Sequence, residues 1–554
     1  MKKLRLLPLV VLLFVCACST SQRADLLVTN ARIYTADSSF STVQAFAVKD
    51  GKFVAVGTTA DIIARFRADS TADLAGQPVY PGFFDPHSHF LGLGQMLDQA
   101  DLVGAKSYAE VLARLNTFQQ QHPDAEWIIG RGWDQNDWPK TDSPVGGFPT
   151  NASLNAAFPN KPVMLTRIDG HALLVNDKAL KLAKITGGSR LDGGEVVLNP
   201  AKQPTGVLVD NAMNLIKRVM AQPDVADKTR MLLAAQKLCF SLGLTSVSDA
   251  GLNRDDIDLV EKLQKDNKLK IRDYVMISLG LSNLDYYLKR GPYQTDRLTV
   301  NAFKLYADGA LGSRGACLRK PYADRPETSG FLLLAPAELD RILTQLAGSR
   351  FQANTHCIGD SANHLILSLY GKLLKTKNDR RWRIEHAQVV SPEDVYLFGR
   401  YSVIPSVQPT HATSDMYWAS DRLGKIRAKG AYAFNDLMKQ NAASAGGLIA
   451  FGSDFPVEAP NPLFGFHAAT ARQDANNFPK GGYQPENAVD RKSALLAMTR
   501  WAAYANAEDH LRGCIAPGKQ ADFVVLDQDI MTAPNEKLRA TKVRQTWVGG
   551  ERVF

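Results

Sequence analysis

Between about Pro81 and Leu511 one unit recurs, a helical stretch followed by a short apolar strand, and this alternation constrains the fold more than any other feature. Leu232 to Leu242 reads as a helix. It passes through Gly243 into Leu244-Thr245-Ser246-Val247-Ser248-Asp249, a strand apolar enough to be buried. Ala337 to Ser349 followed by Phe351-Gln352-Ala353-Asn354-Thr355-His356 repeats the unit. A chain built this way calls for a parallel α/β architecture.

The ends of these strands carry the chemistry. Tyr80-Pro81-Gly82-Phe83-Phe84-Asp85-Pro86-His87-Ser88-His89 is an apolar run ending in two histidines at i, i+2. Alternate side chains of a strand share a face, so His87 and His89 can aim at one point. Imidazole is the commonest metal ligand, and a rigid strand presents it with little entropy left to lose. Four later strand ends carry Lys304, His356, His386 and Asp454. A barrel of eight strand–helix units in about 250 residues spends roughly 31 residues per unit. His356 to His386 is 30 residues, one unit, and His386 to Asp454 is 68, two units. Lys304 to His356 is 52, one unit with a long loop, and His89 to Lys304 is 215, three units plus an insertion. The five positions therefore fall on the first, fourth, fifth, sixth and eighth strands, at the C-terminal ends where barrel enzymes place their active sites. Taken singly each residue has an ordinary explanation, as a salt-bridged lysine, a strand-end polar residue or a turn. The ordered spacing is what makes them a set.

Both ends of the chain read differently. Leu26 to Val28, Ala31 to Tyr34, Ala45 to Val48 and Phe53 to Val56 are short strands, with Lys49-Asp50-Gly51-Lys52 as a hairpin signal. Phe523 to Asp527 and Val543 to Gly550 match them at the far end. We expect one small β-sandwich assembled from residues 24–80 and 512–554, around a barrel domain of residues 81–511. A stretch rich in Trp, Pro, Gly and Asn, about 101–176, breaks the barrel rhythm after its first strand and reads as an insertion.

Residues 1–17 form a targeting segment, with Lys2, Lys3 and Arg5 before the apolar run Leu6 to Val15. That run is too short to span a bilayer comfortably. Val15-Cys16-Ala17-Cys18 resembles a bacterial lipobox, in which Cys18 becomes the lipidated first residue; Ser19 after it favours outer-membrane delivery under the sorting rule for such lipoproteins. The expected membrane contact is this lipid anchor alone. Removing Lys2, Lys3 and Arg5 lowers the formal net charge from +9 to +6, and no basic block remains, so a nucleic-acid partner is not indicated. Cys239, Cys317, Cys357 and Cys514 are widely spaced without a CxxC, which suits buried small hydrophobes.

His87-Ser88-His89, Lys304, His356, His386 and Asp454, in that order, resemble the metal-dependent amidohydrolase superfamily. Gly513 to Leu526 looks like its returning sandwich segment. Arg131-Gly132-Trp133-Asp134, Asp169-Gly170-His171-Ala172, Lys304 to Arg314 and His356 to Asp360 are similar to the branch that includes N-substituted formamide deformylases. The resemblance implies a (β/α)8 TIM-like barrel holding one or two divalent ions, zinc first. His87, His89 and Asp454 would hold one ion and His356 and His386 the other, with Lys304 bridging as a carbamate. It also implies Asp454 as general base, a small-molecule substrate and, by analogy with family members, a homodimer. The expected activity is hydrolysis of a carbon–nitrogen bond other than a peptide bond. The same site is also compatible with lactone or ester opening or with isomerisation, and a binding lipoprotein without turnover is the remaining alternative.

Around this set, His171 is a pocket residue or a cap, and Arg314 pairs a substrate carboxylate or fixes its own glycine-rich loop. Trp133 and Trp138 form an apolar lid over the substrate or the insertion's own core. His411 sits near the end of the seventh strand, and Glu385 reads as a structural acid beside His386.

Overall fold

The computed structural model describes residues 21–220, 223–440 and 447–554. Its central sheet has eight parallel strands: β1 (Phe83–Ser88), β2 (Leu244–Leu252), β3 (Arg272–Ser278), β4 (Leu298–Tyr306), β5 (Gln352–Cys357), β6 (Arg383–His386), β7 (Ile404–Val407) and β8 (Ala450–Phe451). Each pairs with the next in chain order, as right-handed strand–helix units require. Between β8 and β1 the sheet is nearly closed. There the Asp454 N–H donates to the His87 carbonyl at 2.8 Å, and Asp85 accepts the Ser453 N–H. Gly452 permits this approach, because a Cβ there would lie 2.9 Å from His87 backbone nitrogen and oxygen. The sheet and its spacing are those expected, a (β/α)8 TIM-like barrel.

Helices cover the barrel for the reasons their sequences give. Helix α1 (Phe90–Leu97) leaves β1, and α2 (Val225–Ser241) precedes β2. Helix α2 opens with a capping box between Asp224 and Asp227 and buries Leu232, Ala235, Cys239 and Phe240, one face of a 3.6-residue period. The stretch Pro336–Ala347 starts on a proline at its first turn and buries Leu339, Ile342, Leu343 and Leu346.

The strands at the chain ends form two sheets. One is N-terminal throughout (Gln22–Thr29, Ala45–Lys49, Lys52–Gly57, Phe66–Asp73); the other joins Arg32–Tyr34 and Pro78–Pro81 to Phe523–Leu526 and Val543–Val548. They share a core of Leu26, Val28, Phe46, Phe53, Val79, Phe523 and Val525, so both chain ends build one sandwich. In the hairpin, Asp50 and Gly51 have φ of 50° and 71°, the pair of positive values a two-residue type I′ turn needs. Arg272 at the start of β3 clamps Asp522 through two hydrogen bonds, 2.7 and 3.0 Å, tying barrel to sandwich.

The insertion is larger than expected. Its six-stranded sheet begins at Ala100–Asp101 and ends at Pro204–Asp210, well past residue 176. Pro204–Asp210 returns antiparallel onto Ala172–Val175, Gly194–Leu198 pairs antiparallel with it in turn, and neither strand carries the tryptophans that mark the first part. The targeting segment and the cysteines at 16 and 18 lie outside the described residues. Cys239, Cys317, Cys357 and Cys514 are free thiols. No helix among the described residues is long and apolar enough to cross a membrane.

Candidate metal centre

The C-terminal ends of the barrel strands bring the five expected positions together. His87 is the buried inward residue near the end of β1, and His89 follows at the start of α1. Asp454, three residues beyond β8, lies with Oδ1 3.3 Å from His87 Nε2 and 3.2 Å from His89 Nε2. Ligand atoms of His87, His89 and Asp454 all fall within 4.8 Å of one another. Lys304 Nζ, from β4, lies 3.1 Å from His87 Nε2. The His386 ring, from β6, stands 4.9 Å from His87 and 4.5 Å from His356. Two of these residues bear backbone strain: His386 and Asp454 have φ of 72° and 61° without being glycine, worth roughly 1–3 kcal/mol each. Strain held at ligand positions is the pattern of a geometry kept for function.

A second layer fixes the ring orientations. His87 Nδ1 is hydrogen-bonded to Glu385 Oε2, and Arg383 Nε donates to Glu385 Oε1 at 2.6 Å. Arg383 is itself fully buried and donates to the Pro86 carbonyl, so the barrel wall holds Glu385 in place. Glu385 thereby turns His87 Nε2 toward the centre, as carboxylates behind metal-binding histidines do. Gln408 Oε1, 2.7 Å from His386 Nδ1, does the same for the second ring.

Electrostatics agree with a cation site. Burial alone would raise Asp454, but the neighbouring His87 and His89 hold it well below the usual carboxylate range. Burial pulls His356 and His386 down, leaving both neutral and able to donate lone pairs. Burial also lowers the Lys304 ammonium, to about 8. Glu385 is pushed below the ordinary range because Arg383 and His87 outweigh its burial. Imidazoles, an ionised carboxylate and an amine with a lowered pKa form a donor set suited to one or two divalent ions.

The cavity above the centre has a volume of about 780 Å³, and His171, His356, His386, His411 and Asp454 all line it. His171 comes from the insertion; its ring lies 5.2 Å from His356, and its Nδ1 bonds Asp210 Oδ1. Asp210 fits only because Gly309 and Gly315 lack side chains: a Cβ on either would come within 2.4 Å of its Oδ2. His411, just after β7, lies parallel to His386 at 6.1 Å. Three other expected residues face elsewhere. Trp133 is fully buried in the insertion's core and spends its Nε1–H on the Leu165 carbonyl, so it lines no part of the cavity; Trp138 lies in the same core. Arg314 pairs Asp324 at 2.9 Å and is a loop brace, not a wall of the cavity.

Other residues of the site had no individual sequence signal. Arg167, fully buried between Asp134 and Asp169, lines the cavity, and Gln408 and Asp210 orient the rings described above. Asp134 and Asp169 lie in the Arg131-Gly132-Trp133-Asp134 and Asp169-Gly170-His171 motifs, but their shared partner is fixed only by the pairing of distant strands.

A barrel with two histidines on its first strand, a carboxylate after its last and two further histidines between defines the class of metal-dependent hydrolases. Residues 70–554 match the amidohydrolase family model, and the chain belongs to that family. It is 31% identical to the putative amidohydrolase YtcJ of Bacillus subtilis over 94% of this chain and 98% of that protein. It is 24% identical to the N-substituted formamide deformylase of Arthrobacter pascens over 96% and 98%. An uncharacterized metal-dependent hydrolase from Pyrococcus horikoshii superposes with a TM-score of 0.74 at 29% identity, covering 92% of this chain and 99% of that one.

Proposed function

We propose that this chain hydrolyses a carbon–nitrogen bond other than a peptide bond in a small molecule, an amide of the formamide type, using one or two divalent ions, zinc first. The observation that carries the reading is the convergence of His87, His89 and Asp454 beside Lys304, His356 and His386, with His356, His386 and Asp454 lining a large cavity. His87, His89 and Asp454 would hold one ion and His356 and His386 a second, and Lys304, its neutral amine adding carbon dioxide and releasing a proton, would supply an anionic carbamate oxygen donor to the site. A divalent ion in such a site polarises a carbonyl and lowers the pKa of water. Asp454, held ionised, takes the proton of the attacking water on a carboxylate oxygen and passes it to the leaving nitrogen. His171, braced by Asp210, presents its ring to the substrate beside His356, and Arg167 with its two carboxylates stiffens that wall. Similarity to the formamide deformylase supports the choice of bond. A strong chelator should abolish hydrolysis of N-substituted formamides, and added zinc or manganese should restore it. Full activity in a His87→Ala/His89→Ala double variant would overturn the reading.

The targeting segment supports a second, independent proposal, that the protein is exported and anchored through a lipid on Cys18. Radiolabelled palmitate should enter the wild-type chain and not a Cys18→Ser variant; equal labelling, or none in either, would reject the anchor.

A further inference from the structure

The same cavity holds a recess whose charge the centre does not use. Asp415 and Glu458, both half-buried, line the cavity together with His356, His386 and Asp454. Asp415 Oδ2 accepts hydrogen bonds from Tyr432 Oη at 2.7 Å and from Gln388 Nε2 at 3.3 Å, and Gln388 is two residues beyond His386. Glu458 Oε1 accepts the Ser414 hydroxyl at 2.7 Å; that hydroxyl also touches the carbonyls of Thr410 and His411. Among the described residues neither carboxylate meets a lysine or arginine at ion-pair distance. Of the cavity's cations, Arg167 pairs Asp134 and Asp169, Lys106 pairs Asp137, and Arg539, over the Phe464 ring at 3.8 Å, acts on Glu458 through space without forming an ion pair. A second observation points to a ligand at the same place. Among the described residues Thr410 Oγ1 and His411 Nε2 have no hydrogen-bond partner, although both side chains are more than nine-tenths buried and line the cavity. The rim adds an aromatic face, since Tyr417 is exposed and stacks on exposed Phe478 at 6.1 Å.

Carboxylates gathered in a partly dry wall without an ion-paired protein cation are costly unless a charge of opposite sign meets them. They also penalise an anionic ligand by repulsion. We infer that the recess takes a cationic group of the substrate, an ammonium or amidinium, so that the molecule cleaved is an amide whose far end carries a positive charge. This rests on the amide-hydrolase reading above. The amide lies against His87, His89 and Asp454. A short spacer crosses the layer of His411, and the cation sits between Asp415 and Glu458, with Tyr417 supplying a π face. Thr410 and His411 offer their unpaired atoms to the polar part of the spacer.

Three N-formylbenzylamines of equal size, with para-aminomethyl, para-hydroxymethyl and para-carboxyl groups, separate the possibilities on the zinc-loaded full-length protein. A hydrogen bond to a charged group changes discrimination by about ten- to a hundredfold. We therefore expect kcat/KM to favour the cation over the neutral compound by at least about tenfold and the anion to be poorest. In an Asp415→Asn/Glu458→Gln variant the cation-to-neutral ratio should fall toward one; using the ratio cancels any general loss of activity or folding. Equal kcat/KM for the three, or an unchanged ratio in the variant, would overturn the cation site while leaving amide hydrolysis standing. If none is hydrolysed, the bond assignment fails and calorimetric binding of the same three compounds decides the recess: cation tightest supports it, no preference rejects it.

Discussion

The two walls of the cavity obtain their precision in different ways. The barrel wall presents His87, Lys304, His356 and His386 from strands that pair only with their neighbours in chain order, so each ligand's place follows from its place in the sequence. The insertion wall presents His171 through a chain of contacts between distant segments, from Asp210 at the end of its last strand to Gly309 and Gly315 after β4. The first wall is redundant, with several donors around one point. The second depends on single pairs. Changes to the barrel wall should lower metal and activity together, whereas changes to the insertion wall should lower activity and spare the metal.

The largest expected effect is at Asp454. Asp454→Asn removes both a ligand charge and the proton acceptor, and kcat should fall by about 10²–10⁴. Bound metal per chain, measured by mass spectrometry of the purified protein, should fall with it. Full metal content with the same loss of kcat would show that Asp454 is a base and not a ligand. Glu385→Gln comes next. It keeps the size of the side chain but weakens the hold on His87 Nδ1, and metal affinity should drop by roughly 10–100-fold. Lys304→Ala should lower the metal count from two to one if the carbamate bridge exists, and an unchanged count would remove the bridge.

On the other wall, Asp210→Asn should lower kcat/KM by about tenfold with metal content unchanged. Gly315→Ala should do the same through another route, because its Cβ would meet Asp210 Oδ2 at 2.3 Å and displace it. Loss of metal in either variant would erase the contrast between the walls.

What could be read from the sequence follows the same division. The barrel positions were legible because the strand–helix period converts residue number into angular position around the barrel, and both histidine rings and the lysine landed where that arithmetic placed them. Glu385 was recognisable as a structural acid, though its role in aiming His87 needed the Arg383 brace to be seen. The insertion was legible only as an interruption. Its end near Asp210 was missed because Val196, Val207 and Leu208 form ordinary antiparallel strands without the tryptophans used to mark its start. Trp133 was open to two readings for a physical reason: a large amphipathic ring suits a lid and a core equally, and only the Leu165 carbonyl that accepts its N–H decides for the core.

The smallest effect separates the barrel's stability from its chemistry. Asp249, on β2, accepts the Leu91 N–H at 3.0 Å from α1, and burial pushes its carboxyl up from 3.8 to about 7. A folded-state pKa above the unfolded one means that the folded chain holds a proton the unfolded chain has released. The stabilising share of this group is thus present below about pH 4 and is lost as pH rises toward 7, with no further change above. Asp249→Asn cannot ionise. Relative to wild type its melting temperature should gain between pH 5 and pH 8, by an amount on the order of 2–4 °C for each kcal/mol recovered. The kcat of the variant at saturating metal should keep the wild-type pH profile, because the Asp249 carboxylate bonds the backbone of α1 and not a ligand side chain. A pH profile that shifts with the substitution would mean that the barrel wall couples its buried acids to the metal centre. The barrel wall would then be as dependent on single pairs as the insertion wall.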